Sequence, residues 1–525
     1  MITSIKIKNL RSLKDTNFVE IKPITILVGA NSSGKSTFLR SFLLLTQSVV
    51  KSLRGSISWF DDSYVDFGDY STAKCQFASD EECIEFHYKI DELHMLTYRK
   101  HGIYSTSSYG MTPHRIKPLL QSINVSLSFI DDVRGTFING ITIETNGISV
   151  EFGVTKRETK AWVKINGQEL SLKSEFVFHF SAIQEILPWL ISPPYSDNLE
   201  FFDSLKEEIQ KFVVERSDKK TKKLERANFV FDLWECDKLS FLNRLINDTR
   251  LQSFNKYIRK WDTKNSEFTQ LYNYLTLYHI LLIYPSIDKE IAGMYCSCSY
   301  IAPARAGASR YYRTQGLQIN DIDAYGRNLP EFIASLSNTA LKSYNDYTMS
   351  LFNVKVKKEN SPGHQSLVLE TDKGKYNMAD VGFVYSQILP IITKLWFYQY
   401  SSSKNFDYWR MIGQRRLVTM EQPELHLHPA YQAKIADAFI ASVFAKNEDG
   451  TIKNDTPRII IETHSEAIIN RIGRRIREGA LPADYVNVVL FEKSVDDKET
   501  HVVQTKYDKK GQLENWPIGF FDPID

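Results

Sequence analysis

The stretch Gly29-Ala30-Asn31-Ser32-Ser33-Gly34-Lys35-Ser36 has the spacing GxxxxGK[ST], which suits the cradling of phosphate. Glycines let backbone N–H groups turn inward around anionic oxygens, and a helix N-terminus behind them adds positive potential. In that chemistry Lys35 reaches the outer phosphates of a triphosphate, and the Ser36 hydroxyl, followed by Thr37, holds Mg2+. A second group, Glu421-Gln422-Pro423-Glu424, follows the apolar run "LVTM". Glu421, at the carboxyl end of a buried strand, is placed to orient the metal. Gln422 stands where a water-activating carboxylate is usual. Glu424 lies two residues on, about 6–7 Å along an extended chain, and is a second candidate for the base. A third group sits in "RIIIETHSEAIINRI", where a strand ends at Glu462-Thr463 and presents His464 to a γ-phosphate or its attacking water. A general base contributes about a hundred- to ten-thousand-fold in rate, so an amide at 422 leaves three options. Glu424 acts as the base, or Gln422 orients water without deprotonating it, or hydrolysis is slow and ATP serves as a clamp or timer.

Each of these groups needs a strand to deliver it. "ITILV" (residues 24–28) reads as a buried strand running into the phosphate loop, and "FLRSFLLLTQSVV" has helical spacing behind it. "RRLVTM" and "RIIIET" are further buried-strand candidates, each followed by a helix. Residues 56–180 are β-rich, with Asn146-Gly147 and Asn166-Gly167 as hairpin turns. From about 196 to 285 the pattern is helical. It includes a basic run from Lys219 to Arg226, read as a solvated helix face, with DNA contact as the sharper alternative. The organisation expected is residues 1–195 as the first part of a head carrying the phosphate loop and a β-lobe, 196–290 as a helical insertion, and 291–525 as the rest of the head.

Bulk properties narrow the setting. The chain has 525 residues, 42% hydrophobic and 24% charged, with a net charge of +2, so any nucleic-acid surface must be local. Cys75, Cys83, Cys236, Cys296 and Cys298 form no CxxC pair, which suits a reducing compartment. "MITSIKIKNLRSL" alternates like a strand, not a signal peptide. "LTLYHILLIYP" is too short to span a bilayer. A soluble cytoplasmic protein without a membrane partner is expected.

Together, the phosphate loop, "LVTMEQPELHLHP" and "IIIETHSEAIINRI" resemble the ABC/SMC-type ATPases, above all the overcoming-lysogenization-defect and AAA15-like bacterial ATPases. The end, "GQLENWPIGFFDPID", resembles members bearing the DUF3696 segment. The resemblance implies an α/β fold: an ABC/SMC-type ATPase head, with a P-loop mixed sheet and an antiparallel β-lobe, interrupted by a helical insertion. It also implies ATP and Mg2+ as cofactors and a homodimer, or a higher oligomer, that sandwiches nucleotide. The signature loop of that sandwich corresponds to "MADVGFVYSQILPII", with Gly382, Ser386 and Gln387 as the contact positions, although Val384 stands where relatives usually have a second glycine. In "YIAPARAGASRYYRTQG", Arg305, Arg310 and Arg313 are candidates for a nucleotide or interface role. His426 and His428 have the HxH look of a metal site, without an acidic or cysteine partner nearby.

No nuclease motif is found, and too few residues follow His464 for the TOPRIM nuclease of the overcoming-lysogenization-defect type. The reading that follows is the ATPase of an anti-phage system, similar to the PtuA ATPases of Septu and retron-linked systems. Its cutting partner would be a separate HNH nuclease of the PtuB kind, and DNA or a retron nucleoprotein would be bound. The alternatives are an SMC/RecF-like DNA-binding ATPase in repair or chromosome maintenance, and a transporter ATPase. The helical stretch lacks the sustained heptads of a long coiled-coil arm.

Overall fold

The computed structural model describes residues 1–51, 55–93, 117–133, 135–154, 161–172, 176–179, 185–191, 198–217, 227–314, 319, 321–402, 416–445, 451, 453, 456–493 and 499–516. The basic run Lys219 to Arg226 and the last nine residues of the aromatic tail lie outside them. The chain divides into two compact units. One comprises Met1–Lys6, Ser48–Ser58 and Asp80–Gly293; the other comprises Ile7–Gln47, Trp59–Ser79 and Met294–Asp525.

The second unit is built on a six-stranded sheet in the order Cys298–Ile301, Leu417–Glu421, Arg458–Glu462, Ile24–Gly29, Val486–Glu492, His501–Thr505. The first five strands run parallel and the last is antiparallel to its neighbour. The strands expected at "ITILV", "LVTM" and "RIII" are all present. Each is a continuous apolar run because helices cover both faces of such a sheet. Ile24, Ile26, Val28, Val418, Met420, Ile459 and Ile461 share one buried cluster with Leu389, Ile392, Trp396, Phe439, Ile468 and Ile472 from the covering helices. These helices are Phe383–Ser402, Pro429–Val443 and Glu466–Arg477; the helix Lys35–Val49 follows the phosphate loop. A four-stranded antiparallel sheet, Tyr312–Arg313, Lys355–Ser361, His364–Thr371 and Gly374–Asn377, belongs to the same unit.

In the other unit an antiparallel meander runs Ile84–Ile90, Ile123–Asp132, Gly135–Thr145, Ile148–Val154, Ala161–Ile165, Gln168–Glu169. Thr145 pairs with Ile148, and Ile165 with Gln168, so both hairpins have two-residue loops. Asn146 and Gly147 have φ of 48° and 75°, and Asn166 and Gly167 of 49° and 77°, the left-handed pairs such turns demand. Helices follow from Asn198 onward, the longest being Ser266–Cys296 with Pro285 inside it. The apolar run with His279 is part of this helix. Burial pushes the His279 imidazole down to about 4, and its ring stacks 4.4 Å from Trp234, so it is a neutral packing residue. Among the described residues no helix is long and apolar enough to cross a membrane.

The α/β architecture expected from the sequence, a phosphate-loop mixed sheet and an antiparallel β-lobe, is therefore present. The helical stretch lies in the same compact unit as the meander.

Candidate functional site

The phosphate loop leaves the carboxyl end of the Ile24–Gly29 strand, with parallel neighbours on both sides. Two glycines are required by the backbone. Gly29 has φ +149° and a Cβ there would lie 2.2 Å from the Phe491 carbonyl oxygen. Gly34 has φ +99° and a Cβ there would lie 2.8 Å from the Leu13 side chain and 2.9 Å from Ser12 Oγ. Ser32 is left-handed as well, with φ +61°. Ala30, Asn31 and Ser32 are exposed, Ser33, Gly34 and Lys35 are buried, and Ser36 and Thr37 are half-buried at the start of the helix.

Lys35 folds over its own loop, its Nζ donating to Gly29 O at 3.0 Å and Ala30 O at 2.7 Å. Burial lowers its pKa, and the carboxylate of Glu462, 4.0 Å away, pulls the other way. Ser36 Oγ donates to Glu462 Oε1 at 2.9 Å. Ser33 Oγ and Glu462 Oε2 are buried without a hydrogen-bond partner. Burial also raises the Glu462 pKa, against the bond from Ser36, with Glu421 adding to the rise. An orphaned hydroxyl, an orphaned carboxylate oxygen, a buried ammonium and a left-handed glycine loop suit a polyphosphate with a hard divalent cation.

Glu421 and Glu462 end neighbouring strands in register, yet their surroundings differ. Arg40, one turn beyond Ser36 on the same helix, grips Glu421 through two bonds, Nε to Oε1 and Nη2 to Oε2, both 2.7 Å. The Tyr300 hydroxyl donates a third at 2.9 Å to Oε1. The ion pair drives the Arg40 pKa upward. Glu462, Arg40 and Tyr300 carry no role in the sequence reading. The signal for Glu462 was available, since it ends a buried strand as Glu421 does. Arg40 was signalled by its i+4 spacing from Ser36.

Beyond Glu421 the chain turns sharply. Gln422 has φ +43°, its N–H donates to Glu462 O at 2.8 Å, and Leu425 N–H closes the turn onto Gln422 O at 3.1 Å. Glu424 Oε1 accepts the backbone N–H of His464 at 2.8 Å, while its Oε2 is buried and unpartnered. Burial raises the Glu424 pKa. Burial and Lys35 together lower that of His464, whose side chain is exposed. Thus the loops after two strands meet: Glu424 binds the backbone at His464, and Gln422 the backbone at Glu462.

Arg305 is buried beside this turn, donating to Ala302 O and to Pro423 O at 3.2 Å, with Nε unpartnered. Burial brings its pKa down to about 10, although Glu424 opposes the change. Gln387 donates to Arg305 O at 3.2 Å, and Ser386 donates to Phe383 O at 2.7 Å. Both side chains are buried, whereas Gly382, with φ +72° and open space where a Cβ would stand, and Phe383 face solvent. Arg310 pairs with Asp380, and Arg313 is exposed on a short strand. His428 caps the Pro429–Val443 helix, its Nδ1 accepting from Ala430 N at 3.2 Å, and His426 is exposed with φ +62°. Among the described residues no group of three or more His, Cys, Asp or Glu could hold a metal ion.

The family AAA_15, described as AAA ATPase domain, matches residues 1–469. No curated relative matches the chain. Among solved structures the chain is similar to an Smc head bound to the C-terminal winged-helix domain of ScpA, with 11% identity over 97% of this chain and 98% of that one, at a TM-score of 0.32. An Smc head with an extended coiled coil, bound to the C-terminal domain of ScpA, from Pyrococcus furiosus has 12% identity, 96% coverage of each chain and a TM-score of 0.32. The SMC head domain from Thermotoga maritima has 7% identity, covering 96% of this chain and 98% of that one, again at 0.32.

Proposed function

This chain belongs to the AAA ATPase domain family, and from that premise we propose that it is a slowly hydrolysing ATPase that closes as a homodimer around ATP. In this reading it governs a separate nuclease of the HNH kind in a bacterial anti-phage system. The observation that carries the ATPase reading is the Ser36–Glu462 bond beside the buried Lys35 ammonium, at the end of the central parallel strand.

Bound Mg2+–ATP supplies a γ-phosphoryl group open to attack by water. Around it, the backbone N–H groups of Gly29 to Thr37 take phosphate oxygens, and Lys35 exchanges its loop carbonyls for the outer phosphates. Ser36 and Glu462, joined by one hydrogen bond, would hold the cation, and Glu421 ends the neighbouring strand. Glu424 receives the proton of the attacking water on Oε2, its basicity raised by burial. His464 is held beside it through its own backbone N–H, and Gln422 orients the water. Slow turnover follows if the amide, not a carboxylate, stands nearest the water. Gly382 and Phe383, the open end of the signature segment, meet the partner protomer's nucleotide, while Ser386 and Gln387 support that loop from within. The nuclease partner, the defence role, the DNA or retron nucleoprotein, and a cytoplasmic setting rest on the resemblance to PtuA-type ATPases and the DUF3696-like end.

The test is direct. Purified chain should bind a fluorescent ATP analogue and release phosphate, and Lys35→Ala should lose at least about tenfold in nucleotide affinity while keeping its melting temperature. Affinity capture from cells should bring down a nuclease, and nucleotide should alter its cutting. A chain that binds no nucleotide ends the ATPase reading; one that hydrolyses ATP but captures no nuclease ends the defence reading alone.

A further inference from the structure

On the reading that the loop at Lys35 holds a nucleotide and its divalent cation, we propose that the cation is met by Glu462 and Ser36, and that Glu421 is withheld from it by Arg40 and Tyr300.

The two carboxylates end adjacent strands and pair in register, so their height along the sheet does not separate them. Availability does. Glu421 already accepts three hydrogen bonds, two of them charge-assisted from one guanidinium, at 2.7, 2.7 and 2.9 Å. To ligate a cation it would have to give up that bidentate partner. Glu462 accepts one bond, from the very hydroxyl expected to share the cation, and its second oxygen is buried without a donor. Its side chain is only 6% exposed, so that oxygen has no water to turn to. A buried polar atom left unpaired in this way marks a place for a missing partner.

Strand order gives the same answer. Arg458–Glu462 lies directly beside Ile24–Gly29, with Glu462 in register with Leu27, whereas Leu417–Glu421 is one strand further out. Glu462 therefore stands next to the loop and Glu421 behind it. Arg40 also cancels the Glu421 charge, so Glu462 is the carboxylate left to balance a cation. One carboxylate, one hydroxyl and phosphate oxygens with water are the set Mg2+ usually takes. Glu421 and Arg40 become positioning residues that fix the strand end from which Glu462 and Gln422 project.

Mn2+, followed by electron paramagnetic resonance in the presence of ADP, reads the cation separately from turnover. The full chain is compared with Glu462→Gln, Glu462→Asp and Glu421→Gln, and nucleotide binding is measured first in EDTA. Wild-type protein that binds no nucleotide either in EDTA or with Mg2+ ends the nucleotide reading, and this assignment with it. If nucleotide binds, Glu462→Gln should lower the Mn2+ affinity of the complex at least about tenfold, and Glu421→Gln by no more than about threefold. Glu462→Asp, which keeps the charge but draws the oxygens back, should fall between; it also serves if the glutamine variant does not fold. Equal losses at the two positions, or the larger loss at Glu421, overturn the assignment while leaving the nucleotide reading intact.

Discussion

Replacing Arg40 by alanine removes both nitrogens from Glu421 and leaves a carboxylate, 5% exposed, with Tyr300 as its remaining donor. Breaking a buried ion pair from one side costs about 3–5 kcal/mol, because the other charge stays behind. Here the cost should be smaller, about 2–3 kcal/mol, since the Arg40 side chain is itself 41% exposed and the site is partly screened. Glu421→Gln leaves the opposite remnant, a guanidinium that can turn to water, and should cost about 1 kcal/mol. The double variant has neither stranded charge, so the two changes should fall short of additivity by about 1–2 kcal/mol. In thermal melts without nucleotide, Arg40→Ala should lower the midpoint by about 4–12 °C, at about 2–4 °C per kcal/mol for a large domain. Adding Glu421→Gln should recover part of that loss. Additive shifts, or an Arg40→Ala midpoint within about 1 °C of wild type, would show that the pair does not hold Glu421 and would undercut its withdrawal from the cation.

Two further outcomes are expected. Glu424→Gln should lower kcat at least about a hundredfold and abolish the acid limb of the pH–rate profile; burial raises the Glu424 pKa, so that limb in the wild type should lie above the ordinary carboxylate range. In the other unit, burial pushes Asp288 up to about 7 although it accepts N–H groups from Ile186 and Leu187. The folded state thus keeps a proton that the unfolded chain releases near the ordinary aspartate value. Its stabilising contribution is full below that value and falls as pH rises toward 7, by up to about 4 kcal/mol. Opening free energies from hydrogen exchange in the Ser266–Cys296 helix, corrected for the intrinsic pH dependence of exchange, should fall from pH 5 to 8 more steeply in wild type than in Asp288→Asn; parallel profiles would refute it.

Much of the parallel sheet and the meander was legible because its signals are local. A parallel strand covered on both faces must be continuously apolar, so "ITILV", "LVTM" and "RIII" announce themselves. The Asn-Gly hairpins are equally local, because few residues accept two left-handed positions in succession. What sequence could not supply was strand order. Four of the six strands of the sheet follow residue 400, and only the fold shows that the strand ending in Glu462, not Glu421, lies beside the phosphate loop. Nor does the change of periodicity near residue 196 say whether strands and helices share a core. That depends on contacts such as Phe152 with Tyr284, 6.1 Å between ring centres, and Tyr274 with the Ser171 carbonyl, which neither pattern records.

The glutamine at 422 acquires a physical context from the same strand order. Its backbone is held left-handed, a conformation that costs a non-glycine residue about 1 kcal/mol, by a hydrogen bond to the Glu462 carbonyl. Glu424 is bound in turn to the backbone of His464. Two strand ends are therefore fastened at two points, with the amide, the raised-pKa carboxylate and the histidine carried on the fastened segment. A carboxylate at 422 would add a negative charge to the group Glu421, Glu424 and Glu462, which Lys35, Arg40 and Arg305 balance. An amide avoids that repulsion and, in the mechanism proposed above, leaves the proton to Glu424. The substitution Gln422→Glu separates the two accounts of this position. If position 422 merely lacks its base, hydrolysis should rise; if charge balance governs, the variant should melt lower and hydrolyse no faster. A faster enzyme of unchanged stability would end the charge-balance argument.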